Sequence, residues 1–164
     1  MQRPEIDPPR LCPEFDLERF VRIQDCKIGW REQETEYERA IRELREGEKR
    51  SEWIRFIFPR ASGLGKHINS ILYAIATMEE AKAYLEHPIL GPRLHEATEA
   101  VLDSREDDLG KLFGGSDEAS RFKQTMTLFA QACLGTSDEL FLRVMMKFWG
   151  GLRDEKTLKI MEGW

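Results

Sequence analysis

Residues Lys49–Tyr73 read KRSEWIRFIFPRASGLGKHINSILY, and how this stretch folds decides the class of the whole chain. Its first half is ambiguous. Trp53, Phe56 and Ile57 share one helical face, while Ile54, Phe56 and Phe58 alternate as a strand would. Ser51 stands where an N-cap stands and Pro59 biases Phe58 out of helical geometry, so the spacing predicts a short helix ended by the proline. The second half runs through a Gly63-Leu64-Gly65 turn into another short helix with the stripe Ile68, Ile71, Leu72 and Ile75.

Outward from this stretch the patterns are helical. Four of the seven prolines lie in residues 1–13 without an apolar period, which predicts an extended arm over 1–14 and one domain over 15–164. Asp16 reads as an N-cap, with Phe15 and Phe20 as a hydrophobic staple. Tyr37, Ala40, Ile41 and Leu44 form the stripe of an amphipathic helix stopping at Gly47. Thr77–Glu80 reads as a capping box, and Pro88 as the first residue of a helix carrying Leu90, Leu94, Ala97 and Val101. Ser104 and Asp107 suggest a cap for a short element ending at Phe113-Gly114-Gly115. Ser116 opens the longest helix, with Phe122, Met126, Phe129 and Cys133 inward. Ser137 and Asp154 read as caps of the last two helices. The fold class is therefore all-α: a single compact array of roughly eight helices joined by short loops.

Composition narrows the functional classes. A chain of 164 residues, 41% hydrophobic and 34% charged, is long enough for one sizeable core, burying about 70% of its unfolded surface. Its net charge of −5 argues against general nucleic-acid or anionic-membrane binding. No apolar run reaches the ~18 residues of a membrane span, and prolines and charges occupy the first ten positions, so a cytoplasmic protein is expected. Cys12, Cys26 and Cys133 are odd in number and form no CxxC pair, so reduced thiols, no metal and no cofactor are expected.

Several motifs stand in this order along the chain: KRSEWIRFIFP, GLG, YAI at Tyr73–Ile75, EAKAYLEHPILGPRL at Glu80–Leu94, FGG at Phe113–Gly115, MTLF at Met126–Phe129 and GG-x-x-D-x-x-T at Gly150–Thr157. In this the chain resembles the domain of unknown function 1810 family, over roughly residues 15–160. Fungal members of that family are often mislabelled calpastatin. The resemblance implies an all-helical fold and assigns no chemistry. It also implies departures here, since that family typically carries His-Trp where Glu52-Trp53 stands, an aromatic at Arg55 and Gln at Arg60.

The chemistry-bearing residues concentrate in the opening stretch. Lys49, Arg50, Arg55, Arg60 and Lys66 face one acid, Glu52, giving about +4 locally and leaving about −9 for the rest of the chain. Guanidinium forks beside aromatic rings suit a phosphate, a carboxylate or a planar base. The bland alternative has these cations snorkelling around a buried Trp-Phe cluster. Arg50, Trp53, Arg55, Phe58, Arg60, Lys66 and Ser70 are the candidate ligand-binding set, and Glu52, His67 and Tyr73 the candidate proton-transfer groups. Gly63-Leu64-Gly65-Lys66 lacks the spacing of a phosphate loop, and a turn needing positive φ explains it better. Thr125 and Thr127 either reach a ligand or bond back to their own helix.

Three functional classes follow. The first is binding of, or action on, a small anionic or nucleotide-like molecule in a basic-aromatic pocket joining residues 49–73 to the Ser116 helix. The second is an adaptor that recognises an acidic protein partner through the same patch. The third is a structural or homo-oligomeric role with a large apolar interface.

Overall fold

The computed structural model describes residues 15–27 and 33–164, and the residues expected to form the extended arm lie outside them. Ten helices follow one another: α1 Glu18–Gln24, α2 Glu36–Glu46, α3 Ile54–Ile57, α4 Ile68–Leu72, α5 Met78–Glu86, α6 Leu90–Leu102, α7 Leu109–Phe113, α8 Ser116–Ala132, α9 Leu140–Trp149 and α10 Glu155–Glu162. The ambiguous stretch resolves as helix α3. Ten rather than roughly eight helices form because α3, α4 and α7 are single-turn elements of four or five residues. Among the described residues the only β pairing is two isolated bridges. No described helix is long and apolar enough to cross a membrane.

α8 is the axis of the core, packing against α5, α7, α9 and α10. Its inward stripe Phe122, Met126 and Phe129 is fully buried. Phe122 stacks on Phe113 at 4.9 Å and meets Phe58 edge-on at 5.0 Å, which draws α3 and α7 onto the same helix. Thr127 Oγ1 bonds back to its own helix, donating to Lys123 O at 2.8 Å, and accepts from Asp154 N at 3.0 Å. Thr125 Oγ1 donates to Phe58 O at 2.8 Å, sharing its one proton weakly with Arg121 O at 3.3 Å.

A buried carboxylate joins α2 to the opening stretch. Glu43 accepts from Arg50 N (2.6 Å), Ser51 N (2.9 Å), Ser51 Oγ (2.7 Å) and Trp53 Nε1 (3.0 Å). Burial pushes its carboxyl up, but these donors outweigh burial and hold it below the usual carboxylate range. Ser51 therefore does not cap α3: both its donors serve Glu43, and Trp53 takes the cap position.

Other helix ends also differ from their expected caps. Leu17, not Asp16, stands at the cap of α1, with Asp16 at φ 37°. Thr77 does cap α5, yet Glu80 accepts from Ala76 N at 2.7 Å and faces Arg19 instead of closing a box. The reciprocal box forms at Thr35 and Glu38. α6 begins at Leu90 and not Pro88, because His87 Nδ1 accepts from Ile89 N and Leu90 N. Asp108, rather than Ser104 or Asp107, caps α7, and Glu139 rather than Ser137 precedes α9. Asp154 caps α10 as expected, accepting from Thr157 N at 2.9 Å.

The stripe expected on α4 faces outward. Ile68, Ile71 and Leu72 are exposed, and only Ile75 beyond the helix is buried. Ile75 N donates to Arg60 O at 2.8 Å and Ser62 N to Ile75 O at 2.8 Å, so backbone pairing rather than helical packing seats it.

Candidate anion-binding site

Three elements bring cations together. Thr125 holds Phe58 O from α8, and the Ala61–Ile75 bridge fixes the backbone just past Pro59. Arg60, between these two anchors, is thereby aimed along α8. Its Nη1 donates to Gln124 Oε1 at 2.7 Å and its Nη2 to Ser70 Oγ at 3.2 Å. Arg55, from α3, donates through Nε to the same hydroxyl at 3.2 Å. Gly65 lies against this junction: a Cβ there would come 2.6 Å from Arg60 Nη2 and 2.7 Å from Ser70 Cβ. Space therefore requires glycine at 65, whereas Gly63, at φ +99°, requires it for backbone conformation.

Glu118, Arg121 and Gln124 complete the wall at steps of three on the flank of α8. Arg121 Nε approaches Glu118 Oε1 at 3.6 Å, and Lys49 Nζ approaches Glu118 Oε2 at 3.4 Å. Both are loose charge contacts. Arg121 Nη1 and Glu118 Oε2 are buried with no directed hydrogen bond. Among the described residues the one carboxylate within salt-bridge distance of Arg55 is Glu52 at 3.7 Å, 85% exposed to water.

Arg60 has no directly bonded counter-ion. Among the described residues its side chain donates to the neutral Gln124 and Ser70, while the Glu118 and Asp154 carboxylates act on it through charge alone. Burial, then the Arg121 and Arg55 guanidinium groups, push its pKa down to about 10. Ser70 Oγ accepts twice, so its own proton is left to donate, with no acceptor among the described residues. The arrangement gathers three guanidinium groups with hydroxyl and amide groups, against one carboxylate, Glu118, in the same wall.

Of the residues singled out from sequence, Arg55, Arg60 and Ser70 meet here. Arg50 lies apart, pairing with Glu46 and Glu48 on the α2 side. Trp53 and Phe58 are fully buried core, so neither gives the cradle an aromatic wall. Lys66 is exposed. Glu52 points to water, His67 caps α4 by accepting from Asn69 N at 3.2 Å, and Tyr73 packs against Phe20 and Phe56. The expected proton-transfer set is thus engaged in three separate tasks. Sequence reasoning missed Glu118, Arg121 and Gln124, although their spacing next to the inward Phe122 marks them as one flank of a buried helix.

Two open grooves lie elsewhere, between α2 and α6. One of about 590 Å³ is lined by Arg45, His95, Glu96, Glu99 and Asp103 among others, and one of about 480 Å³ by Tyr37, Ile41 and Arg42 among others. Among the described residues no three His, Cys, Asp or Glu side chains are placed to hold a metal ion.

Comparison with known proteins follows this geometry. A family model described as "Protein of unknown function (DUF1810)" matches residues 14–161. The crystal structure of the conserved hypothetical protein Rv1873 from Mycobacterium tuberculosis is similar at 36% identity and a TM-score of 0.79, covering 91% of this chain and 98% of that one. No curated protein matches the chain.

Proposed function

The chain belongs to the DUF1810 family, whose description assigns no activity, so the functional reading rests on the cradle itself: we propose that Arg55, Arg60 and Arg121, with Ser70 and Gln124, bind a small phosphate- or carboxylate-bearing molecule. The half-buried charge of Arg60, hydrogen-bonded among the described residues to neutral partners and pushed down in pKa by burial and two neighbouring guanidinium groups, carries this reading. A desolvated charge with no directly bonded counter-ion is costly, and an entering anion lowers that cost while accepting from the guanidinium groups. A nucleotide-like ligand would engage through its phosphates, because Trp53 and Phe58 are in the core and offer no face to a base. The same burial deprives an adaptor role at residues 49–60 of its apolar surface.

Thermal melts with inorganic phosphate, pyrophosphate, mononucleotides and small di- and tricarboxylates test the reading. A ligand at a hundredfold its Kd stabilises by about 2.7 kcal/mol, which a melt resolves. The expected outcome is a raised midpoint with at least one anion, abolished in Arg60→Gln. If no anion moves the midpoint, or the shift survives in Arg60→Gln, the cradle does not bind anions.

A further inference from the structure

Glu118 and Arg121 stand one step of three apart on α8, a spacing at which opposite charges pair across a helical turn. Here the pair does not close. Its nearest approach is Arg121 Nε to Glu118 Oε1 at 3.6 Å, against about 2.7–2.9 Å for a charge-assisted hydrogen bond. Lys49 Nζ likewise stops 3.4 Å from Glu118 Oε2, although its side chain is only 6% exposed. Two atoms are left over. Arg121 Nη1, a donor, and Glu118 Oε2, an acceptor, are both buried and make no hydrogen bond among the described residues.

Orphans of opposite type restrict what can serve both. A phosphate or carboxylate oxygen only accepts, and Glu118 repels it; an ammonium only donates, and Arg121 and Lys49 repel it. A hydroxyl does both, accepting from Arg121 Nη1 while donating its proton to Glu118 Oε2. The anionic part of a ligand belongs at the other end of the wall, where Arg60 meets Gln124. Arg121 is three residues from Gln124, about 4.5 Å along the helix axis, so a hydroxyl a few bonds from the anionic group spans the offset. Both side chains are partly exposed, Arg121 24% and Glu118 23%, and rotation about their own bonds brings the two atoms to a ligand.

We propose that the molecule held by the cradle is a small hydroxylated anion, a polyol phosphate or a hydroxy acid, whose hydroxyl lies between Arg121 Nη1 and Glu118 Oε2. The inference rests on the anion reading of the cradle and narrows it. It also gives a task to the one carboxylate in a wall of cations. Glu118 weakens an anion that brings no donor and stabilises one that does, so it selects by contrast as well as by attraction.

Titration calorimetry of the full chain with matched pairs tests this, glycerol phosphate against propyl phosphate and malate against succinate. The hydroxylated member of at least one pair is expected to bind about tenfold more tightly than its bare partner, since a buried acceptor left unpaired is costly. In Glu118→Ala that preference is lost while the bare anion binds as tightly as before or more so, because a repelling charge has gone. Glu118→Gln, which keeps the shape, reads the same contrast should the alanine variant not fold. Equal affinities within both pairs, or a preference undiminished in a folded variant, overturn the inference and leave the cradle a general anion site. Binding of no member of either pair removes the anion reading itself, and this inference with it.

Discussion

Arg60 donates to the amide oxygen of Gln124 at 2.7 Å, a neutral partner where a half-buried guanidinium ordinarily meets a carboxylate. Changing that one atom type separates stability from binding. Gln124→Glu keeps the shape and puts a carboxylate on Arg60, and turning this already charge-assisted bond into an ion pair at a partly exposed site adds about 1 kcal/mol. At about 2–4 °C per kcal/mol for a chain of this size, the melting midpoint of Gln124→Glu rises by a few degrees. Its stabilisation by added phosphate disappears, because the cradle now holds its own anion. A midpoint that falls would show that Arg60 is already neutralised in the wild-type protein.

Glu43 is the opposite case, a buried carboxylate with more donors than most. Glu43→Ala leaves the Trp53 indole N–H and the Arg50 and Ser51 amides without their acceptor, at a cost of about 3–5 kcal/mol by analogy with other broken buried charge networks. The same group gives a pH signature. Its folded pKa is depressed, so its stabilisation is present above the ordinary carboxylate value of 4.5 and is lost as pH falls through the lower folded value. Urea unfolding from pH 7 to pH 3 should show a steeper acid loss for wild type than for Glu43→Gln. Parallel curves would remove Glu43 from that role.

The helical class was legible because burial follows period: Leu44, Leu94, Phe122 and Phe129 all lie inward on stripes visible in the sequence. The α4 stripe misled for the same reason, since periodicity reports an apolar face without saying whether anything covers it. Helix caps were less legible. A cap depends on which distant group claims the side chain, as when Glu43 takes Ser51 or Arg19 takes Glu80. At the site, the local positive charge pointed to Arg55 and Arg60, but the wall from α8 needed the tertiary bond between Thr125 and Phe58 O to bring Arg121 and Gln124 alongside. Trp53 looked like a binding aromatic because sequence shows hydrophobicity and not depth.

His95 supplies a pH dependence of the opposite sign. Its Nδ1 faces Gly91 O at 2.7 Å and its Nε2 faces Asp138 Oδ2 at 2.6 Å, two acceptors that only the doubly protonated ring can serve. Burial lowers its pKa, yet the Gly91 carbonyl and Asp138 outweigh burial and raise it above 6.5. A raised folded pKa means the contribution is complete below about 6.5 and fades as pH rises through the higher folded value. Stability of wild type relative to His95→Gln should therefore decline between pH 6 and pH 9. A difference that stays constant across that range would assign the ring a packing role against Phe141 instead.

Gly65 allows the closest approach in the cradle, and its replacement tests whether the arginines act as one unit. Gly65→Ala puts a methyl 2.7 Å from Ser70 Cβ, which α4 cannot relieve by rotating a side chain. Forced displacement of packed groups costs about 1–3 kcal/mol, so the midpoint drops by several degrees. The displacement also parts Ser70 from Arg55 and Arg60, so phosphate affinity falls further than the lost stability explains. Adding Ser70→Gly removes the steric partner and restores part of the midpoint, but not the shared hydroxyl, and affinity stays low. If the double variant recovers binding together with stability, Ser70 is only a spacer and the two guanidinium groups hold the anion without it.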